Sequence, residues 1–341
     1  SVDEMDGALY ITSYHRHSLR ENGEETVIFN TELTAADLVS QYGKVTLKEG
    51  TYVLGEDLSM GNVGMLSVEG KVTLCLAGHD LDLGGNYIMF GGKGSTLQIC
   101  DCAKEEKGQI LTTSSTGAVL VNGNHTLELY GVSVKGTAYG INSQGGTVKI
   151  YESTISVENM GEKNSAYAIL VSGGSAVVEN SVLTAQAGSS AFAVNAMNKN
   201  VLELKNSTLK GTAGSNAFGV LTTNGSVATM ENCDLVGEST DVTGAAMGAN
   251  SCGDLTAKNC RFTACGVGNN IFGIYSYGDV TASLTDCTVT ADSQNTGSAT
   301  AMGANNGSGI MTLKNCTVLS KGAEGRFSFG AYSVGKLTIE D

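Results

Sequence analysis

A short phrase that recurs about every 27 residues constrains the fold of this chain more than any other feature. It reads apolar, any, apolar, any, Asn/Asp, Ser/Cys, any, apolar, as in "LELKNSTL" (202–209) and "MTLKNCTV" (311–318). A fixed period of this length is the signature of a repeat architecture, in which each unit is stable only when stacked on its neighbours. The second apolar position falls at Leu129, Ile150, Val178, Leu204, Met230, Ala257, Leu284, Leu313 and Ile339.

A second phrase follows each copy of the first and completes the repeat. It is an aromatic residue or Met, then Gly or Ala, then an apolar residue, from "YGI" (139–141) to "FGA" (329–331). Alternation of apolar and polar residues predicts short strands with one buried face, and such strands cannot bury that face alone. The sequence therefore predicts an all-β fold, a right-handed parallel β-helix of about 11 coils that spans 45–341 as a single domain.

The N-terminal residues lack the repeated phrase, and the C-terminal residues stop within a copy of it. Residues 1–44 lack the phrase, and "TELTAADLVSQYG" (31–43) predicts a short helix with Thr34 as its N-cap, so 1–44 is predicted to be an N-terminal cap segment. The last residues, "KLTIED", stop in mid-repeat. We therefore expect further coils or domains of the same chain beyond the C-terminus.

The repeated letters also predict where side chains point. The Asn or Asp is expected in the left-handed conformation of a sharp bend, and the Ser or Cys after it is expected to point inward because only a small residue fits there. The aromatic or Met residues are predicted to stack inside the tube, with the intervening Gly or Ala facing out. Nine Cys, an odd number, and free exchange with Ser predict buried free thiols. Cys102 is assigned to the same inward column as Cys233, Cys260, Cys287 and Cys316, whereas Cys100, Cys252 and Cys265 lie off it and are the candidates for reactive thiols.

Charge and hydropathy exclude two classes of partner. The formal net charge is −14 and the chain has four Arg, so no basic surface for nucleic acid is expected. No run of about 18 apolar residues is present, so no membrane insertion is predicted.

One stretch resembles a known family. "GTYVLGEDLSM" (50–60) followed by "KVTLCLAGHDLDLGG" (71–85) is similar to a segment, "LDLNGHTI", of pectate-lyase-like right-handed β-helices in secreted and cell-wall proteins of gut Firmicutes. The matching residues are Leu74, Leu76, Gly78, His79 and Leu81, and Ala77 stands where the family has Asn. The resemblance implies the fold over 45–341 and an extracellular location, at the cell surface or secreted. That superfamily includes polysaccharide lyases, glycoside hydrolases, phage tailspikes, adhesins and plain stalks.

The sequence shows no convergent set of catalytic residues. A lyase site of the pectate type would need several carboxylates beside an Arg or Lys, and the outward positions of the middle coils carry mixed signs. Asp80 and Asp82, beside His79, are the nearest approach to the paired carboxylates of a hydrolase, and they are interpreted as solvated strand residues. His15 and His17 are a weak metal pair. No catalytic residue, metal or cofactor is predicted, and Asp234 and Arg261, one coil apart, are expected to form a surface ion pair.

One outward file of residues suggests a ligand. The position three residues after each aromatic or Met is occupied in turn by Asn142, Leu170, Asn195, Leu221, Asn250, Tyr275, Asn305 and Tyr332. Tyr rings about every 10 Å between Asn amides would suit a sugar chain lying along the rod, which makes Asn250, Tyr275, Asn305 and Tyr332 the predicted ligand-binding residues. Alternatively, the alternation is inherited from a two-coil duplication, since "AMGAN" occurs at 246–250 and 301–305.

The function predicted from the sequence is a non-catalytic, secreted or cell-surface β-helix that acts as an adhesin, as a rod that binds a glycan or host ligand, or as a stalk. A carbohydrate-active enzyme, either a polysaccharide lyase or a glycoside hydrolase, is the alternative.

Overall fold

A computed structural model describes residues 9–12, 16–21, 24–28, 31–103, 106–223, 225–297, 300–323 and 327–341. From residue 31 onward the chain winds into a parallel β-solenoid of about 11 turns, and successive turns add strands to three parallel sheets. The predicted all-β coil architecture is confirmed. In the described residues the only helical element is one 3-10 turn, and no helix is long and apolar enough to cross a bilayer.

The three sheets follow one another in each turn of the coil. Sheet I contains β4 (Thr31–Leu33), β6 (Gly50–Leu54), β9 (Lys71–Cys75), β12 (Thr96–Cys100), β15 (Thr126–Tyr130), β18 (Thr147–Tyr151), β21 (Ser175–Glu179), β24 (Val201–Lys205), β27 (Val227–Glu231), β30 (Asp254–Lys258), β33 (Thr281–Thr285), β36 (Ile310–Lys314) and β39 (Lys336–Glu340). Sheet II contains β7 (Leu58–Ser59), β10 (Leu81–Asp82), β13 (Gln109–Leu111), β16 (Ser133–Gly136), β19 (Thr154–Asn159), β22 (Val182–Ala187), β25 (Thr208–Ala213), β28 (Asp234–Ser239), β31 (Arg261–Gly266), β34 (Thr288–Ser293) and β37 (Thr317–Lys321). Sheet III contains β5 (Lys44–Leu47), β8 (Met65–Val68), β11 (Ile88–Phe90), β14 (Val119–Asn122), β17 (Tyr139–Gln144), β20 (Ser165–Ser172), β23 (Ser190–Met197), β26 (Asn216–Thr222), β29 (Ala245–Ser251), β32 (Asn270–Ser276), β35 (Thr300–Asn306) and β38 (Phe327–Ser333). A separate antiparallel sheet is formed by β1 (Leu9–Thr12), β2 (Arg16–Glu21) and β3 (Glu24–Ile28).

The apolar residues of the first phrase form the core, as predicted. In β24, Leu202 and Leu204 are buried and stand in register with Ala228 and Met230 of β27, one turn later. Because the same register continues from turn to turn, the buried side chains form one core along the whole rod. Each fully buried Leu contributes about 1.5–3 kcal/mol relative to an exposed one.

A single residue makes the bend between sheet I and sheet II. Its φ lies between 49° and 56° at Glu152, Asn180, Asn206, Asn232, Asn259, Asp286 and Asn315. The predicted left-handed bend is confirmed. The asparagine side chains also bond to one another, since Nδ2 donates to Oδ1 of the preceding turn from Asn206 to Asn180 (3.1 Å), from Asn232 to Asn206 (3.0 Å) and from Asn259 to Asn232 (2.7 Å). We call this exposed row the asparagine ladder.

Ser and Cys exchange after the bend because both side chains make the same two hydrogen bonds. The Ser207 hydroxyl donates to the Lys205 carbonyl at 2.7 Å and accepts the backbone N–H of Ser181, one turn earlier, at 3.1 Å. Cys260 repeats this, with Sγ 3.3 Å from the Lys258 carbonyl and 3.5 Å from the N of Cys233. This column therefore requires a small side chain that can both donate and accept a hydrogen bond. The sequence had predicted only the requirement for small size. All nine cysteines are free thiols.

The N-terminal segment differs from the predicted helix over 31–43. Its helical part is the 3-10 turn Ala35–Asp37, which follows Thr34, whose backbone N–H bonds to the Asp37 carboxylate at 2.8 Å. Thr31–Leu33 instead form β4, which pairs with β6 and covers the edge of sheet I. Pairing satisfies the backbone of these residues in the sheet, so no longer helix forms. The boundary at residue 44 stays a prediction. The last turn, at the other end of the rod, exposes Phe327 and Ile339.

The interior is narrowest between sheets II and III, where both sheets present Gly and Ala. A Cβ added to Gly219 in β26 would lie 2.6 Å from the Gly248 carbonyl oxygen and 3.0 Å from the backbone N of Val236 in sheet II. A Cβ on Gly237 would lie 2.3 Å from the Met247 carbonyl oxygen. Backbone therefore nearly touches backbone here, and the interior has no room for a large side chain.

Candidate functional site

The aromatic and Met residues of the second phrase lie on the outer face of sheet III, so the prediction of an internal stack is wrong. The Gly or Ala that follows each of them faces the narrow interior instead, as Ala168 and Ala193 show by their complete burial. The physical reason is the close approach of sheets II and III, which leaves space for a methyl group but not for a ring. The eight outer residues are Tyr139, Tyr167, Phe192, Phe218, Met247, Phe272, Met302 and Phe329, in register from turn to turn, and we call them the aromatic ladder.

The aromatic ladder is held together by ring stacking outside the main core. Ring centroids are 4.8 Å apart between Tyr139 and Tyr167 and also between Tyr167 and Phe192, with interplanar angles of 10° and 6°. Phe218 follows at 5.2 Å from Phe192. Each such pair adds about 0.5–1.5 kcal/mol beyond the area it buries. Phe192 and Phe218 are only 7% exposed because the ladder side chains of the turns before and after cover their faces. The faces of the ladder rings are therefore covered by their neighbours in the ladder. A ligand on this surface would contact the neighbouring file of side chains instead.

The strands of sheet III carry no charged residue from β8 to β38, although the chain as a whole has 54 of them (20 Lys and Arg plus 34 Asp and Glu). Sheets I and II, by contrast, carry charges on their outer faces, such as the Glu128–Lys149 pair at 3.0 Å and the Lys210–Glu238 pair at 2.7 Å. A solvent-exposed face of a protein with net charge −14 would ordinarily carry some of its charged residues. The outer face of sheet III therefore has the composition of a binding surface rather than of an ordinary solvated surface.

The predicted ligand-binding residues lie in one file on this uncharged face. Asn250, Tyr275, Asn305 and Tyr332 are register partners on four successive strands, β29, β32, β35 and β38. Tyr332 is 42% exposed, Tyr275 and Asn250 are half-buried, and Asn305 is buried. Farther along the same file, the Asn142 amide donates to the Thr116 carbonyl at 3.2 Å. We call the whole row, from Asn142 to Tyr332, the outer file.

Two aromatic pairs of similar geometry stand two turns apart in this region. Tyr275 lies 5.7 Å from Phe272 at an angle of 44°, and Tyr332 lies 6.0 Å from Phe329 at 52°. Two turns of a parallel β-solenoid advance about 10 Å. Tyr277, whose ring is 6.1 Å from that of Tyr275, is exposed and widens the first pair into a platform.

Gly307, which follows β35, makes room for that platform. A Cβ at Gly307 would lie 3.0 Å from Cδ2 of Tyr277 and 3.1 Å from the hydroxyl of Tyr275. Both tyrosines can therefore lean over the next turn. Partial burial raises the pKa of Tyr275, so its phenol stays protonated and can donate a hydrogen bond at neutral pH. The two tyrosines of "YSY" (275–277) and the glycine one turn later are visible in the sequence. Only the register between turns shows that the glycine lies next to the two rings.

A second surface, on the outer face of sheet I, was missed by the sequence reasoning. Glu179, Glu203 and Glu231 line a shallow depression of about 220 Å³ with Lys205, whose Nζ is 3.8 Å from Oε1 of Glu179. No two of these three carboxylates are register partners, because Lys205 lies between Glu179 and Glu231, and Glu203 belongs to the neighbouring file of side chains.

The other sequence candidates are structural. The Asp80 carboxylate accepts the Gln109 N–H at 2.8 Å and that of Asp82 accepts the Gly84 N–H at 2.8 Å, so both are engaged in holding turns. His79 lies 3.3 Å from Asp57, and the pKa of the Asp57 carboxyl is lowered mainly by the backbone N–H of Asp80.

Arg261 and Asp234 form the expected surface pair at 3.5 Å. His15 lies outside the described residues, and of His17 only its place in β2 is described. Among the residues that the structure describes, no group of three His, Cys, Asp or Glu side chains is placed to hold a metal ion.

Comparison with known proteins supports the fold. The model of a family described as "Right handed beta helix region" matches residues 156–318. The turns within 156–318 are accordingly similar to those of a right-handed β-helix. No curated protein matches the sequence. Among solved structures the chain is similar to the crystal structure of the periplasmic alginate epimerase AlgG, with a TM-score of 0.37 and 11% identity over 92% of this chain and 84% of that chain.

Proposed function

We propose that this chain is a non-catalytic binding module that holds an extended, uncharged glycan along the outer face of sheet III, and that it acts at the cell surface or as a secreted protein. The observation that carries the proposal is the absence of charge on strands β8–β38 of sheet III, on a rod whose sheets I and II carry charged side chains. A neutral polymer loses no ionic hydration on such a face. A cationic polymer would be drawn to sheets I and II instead, and an anionic polymer would be repelled by the net charge of −14.

The residues of the outer file fit that ligand chemically. Sugar rings present C–H groups to aromatic side chains and hydroxyl groups to amides, and a Tyr alternates with an Asn over the four turns from Asn250 to Tyr332.

Alanine variants of the two tyrosines test the proposal. A glycan array first identifies ligands of the wild-type protein, and calorimetry then measures their affinity for Tyr275→Ala, Tyr332→Ala and the double variant. Loss of one stacked ring should weaken binding about 2- to 12-fold, which corresponds to about 0.5–1.5 kcal/mol. The matched control is Tyr42→Ala, because Tyr42 is fully exposed and lies before β5, away from the outer file. Wild-type affinity of the double variant for every ligand found would contradict the proposal.

The depression on sheet I favours a carbohydrate-active enzyme as the second candidate. Three carboxylates and a lysine line this depression, and such groups can act as a general acid and a general base. The test is release of reducing ends or of unsaturated products from acidic and neutral polysaccharides, with and without Ca²⁺. Activity that disappears in Lys205→Ala and in Glu203→Gln, but persists in Tyr275→Ala, would favour the enzyme over the binding module.

A further inference from the structure

Three cysteine thiols meet on the outer face of sheet I, near the N-terminal end of the rod. Cys75 in β9 and Cys100 in β12 are register partners on neighbouring strands. They pack with Cys102 and Tyr130 in a small apolar cluster that is separate from the main core. Cys102 packs directly against the buried part of this cluster, which contains Cys75, Cys100 and Val53. Cys75 and Cys100 are buried, whereas Cys102 is half-buried and is the most accessible thiol of the three. The reactivity predicted for Cys100 stays a prediction.

Asp101 explains why Cys102 faces this cluster and not the inward column predicted for it. The Asp101 carboxylate takes the acceptor role that Ser or Cys plays in later turns, since it accepts the N–H of Gly78 at 3.1 Å. It also accepts the N–H groups of Ala103 at 2.9 Å and Gly108 at 2.6 Å. Asp101 therefore occupies the column, and the next side chain, Cys102, turns outward towards Cys75.

We propose that Cys75 and Cys102 form a dithiol site that low-molecular-weight disulfides convert to an intramolecular disulfide. The pair Cys75–Cys100 is less suitable, because side chains in register on parallel strands remain about 4.8 Å apart, beyond the Cβ separation of about 3.5–4.5 Å in disulfides. Both of its members are also fixed in the sheet. Cys102 lies after the end of β12, outside the strand ladder, so its Cβ is not held at the spacing between strands.

The exchange proceeds in two balanced steps with oxidised glutathione as the oxidant. The Cys102 thiolate attacks one sulfur of glutathione disulfide, so a bond from Cys102 to glutathione forms and the glutathione S–S bond breaks, which releases one glutathione thiolate. The Cys75 thiolate then attacks the Cys102 sulfur and expels the second glutathione thiolate. Two protein thiols are oxidised, one glutathione disulfide is reduced, and the two protons lost by the protein are taken by the two glutathione thiolates.

The pH dependence of the rate follows from the surroundings of the entry thiol. The hydrogen bond with Cys75 and burial both raise the pKa of Cys102, so little thiolate is present at neutral pH and the exchange accelerates as the solution becomes more alkaline. Once formed, the disulfide ties the turn 101–103 to β9. The Gly108 amide, which is held through Asp101, should then exchange more slowly with solvent.

Mapping of disulfides in the intact protein tests the proposal. The protein is incubated with oxidised glutathione at mildly alkaline pH, alkylated, digested without reduction and analysed by mass spectrometry. A cross-linked peptide pair that contains Cys75 and Cys102 is expected from the wild type and from Cys100→Ser, but not from Cys102→Ser. Cys252, on sheet III, is the internal control and should carry at most a glutathione adduct. A stable glutathione adduct on Cys102, a Cys75–Cys100 link, or no oxidation of any of the three thiols would overturn the proposal.

Discussion

Replacement of Ser207 by alanine tests the explanation of the Ser/Cys column most directly. The hydroxyl makes two hydrogen bonds, one donated to the Lys205 carbonyl at 2.7 Å and one accepted from the Ser181 N–H at 3.1 Å. Lys205 keeps a partner in the variant, because its carbonyl also accepts the Asn180 N–H at 3.0 Å. Ser181, which is only 2% exposed, loses the acceptor of its N–H and is too deeply buried for water to replace it.

The expected cost follows from these two contacts. A buried N–H left without a partner costs about 1–3 kcal/mol, and the lost hydroxyl bond adds about 0.5–1 kcal/mol. The sum is about 2–3 kcal/mol when the smaller desolvation cost of alanine is included. Ser207→Cys restores a donor and an acceptor with the longer sulfur distances seen at Cys260, so its cost should stay below about 1 kcal/mol.

Native-state hydrogen exchange followed by mass spectrometry is the suitable assay, since a solenoid of this length opens locally and does not unfold in one step. Peptides that cover β21 and β22 should exchange about 30- to 150-fold faster in Ser207→Ala and less than about fivefold faster in Ser207→Cys. Peptides four or more turns away should be unchanged in both variants. Equal exchange rates in the two variants would refute the idea that hydrogen bonding, and not size alone, decides the column.

Three further substitutions test the bend, the narrow interior and the ladder. Asp286→Asn should supply an Nδ2 donor to Oδ1 of Asn259 and so continue the asparagine ladder. We expect it to stabilise the rod by about 0.5–1 kcal/mol, measured as a higher urea midpoint. An unchanged or lower midpoint would count against the ladder as a stabilising feature. Gly219→Ala should destabilise the protein by about 1–3 kcal/mol, because the new methyl group would lie 3.0 Å from the backbone N of Val236 in sheet II. A neutral result in thermal unfolding would show that sheets II and III can separate. Met247→Phe should connect the rings of Phe218 and Phe272 and stabilise the rod by about 0.5–1.5 kcal/mol, measured as a higher urea midpoint. A loss of stability would show that the outer face cannot accept another ring.

Most of the fold was accessible from the sequence because each of its causes is local. The period of the phrase fixed the number of turns, alternation fixed the buried face of sheet I, and the preference of Asn for the left-handed region located the bends. The short helix predicted after Thr34 is present as the 3-10 turn Ala35–Asp37. The strand β4 that precedes it was not predicted, because its pairing with β6 is a contact between neighbouring turns. The candidate site was predicted in part, since Asn250, Tyr275, Asn305 and Tyr332 do share one outer file.

Other features depend on contacts between sheets or between turns, and the sequence does not state them. Phe218 would fit an inward or an outward position equally well by alternation alone, and only the close approach of sheets II and III forces it outside. Glu179 and Glu231 flank Lys205 only because the register between turns places these three residues in one file.

The sequence by itself thus determined that the chain coils, where it bends and which residues repeat along the rod. The tertiary structure alone decided which of the repeated side chains reach solvent, because that choice depends on how wide the tube is, and the width is set by backbone packing between sheets and not by any single repeat.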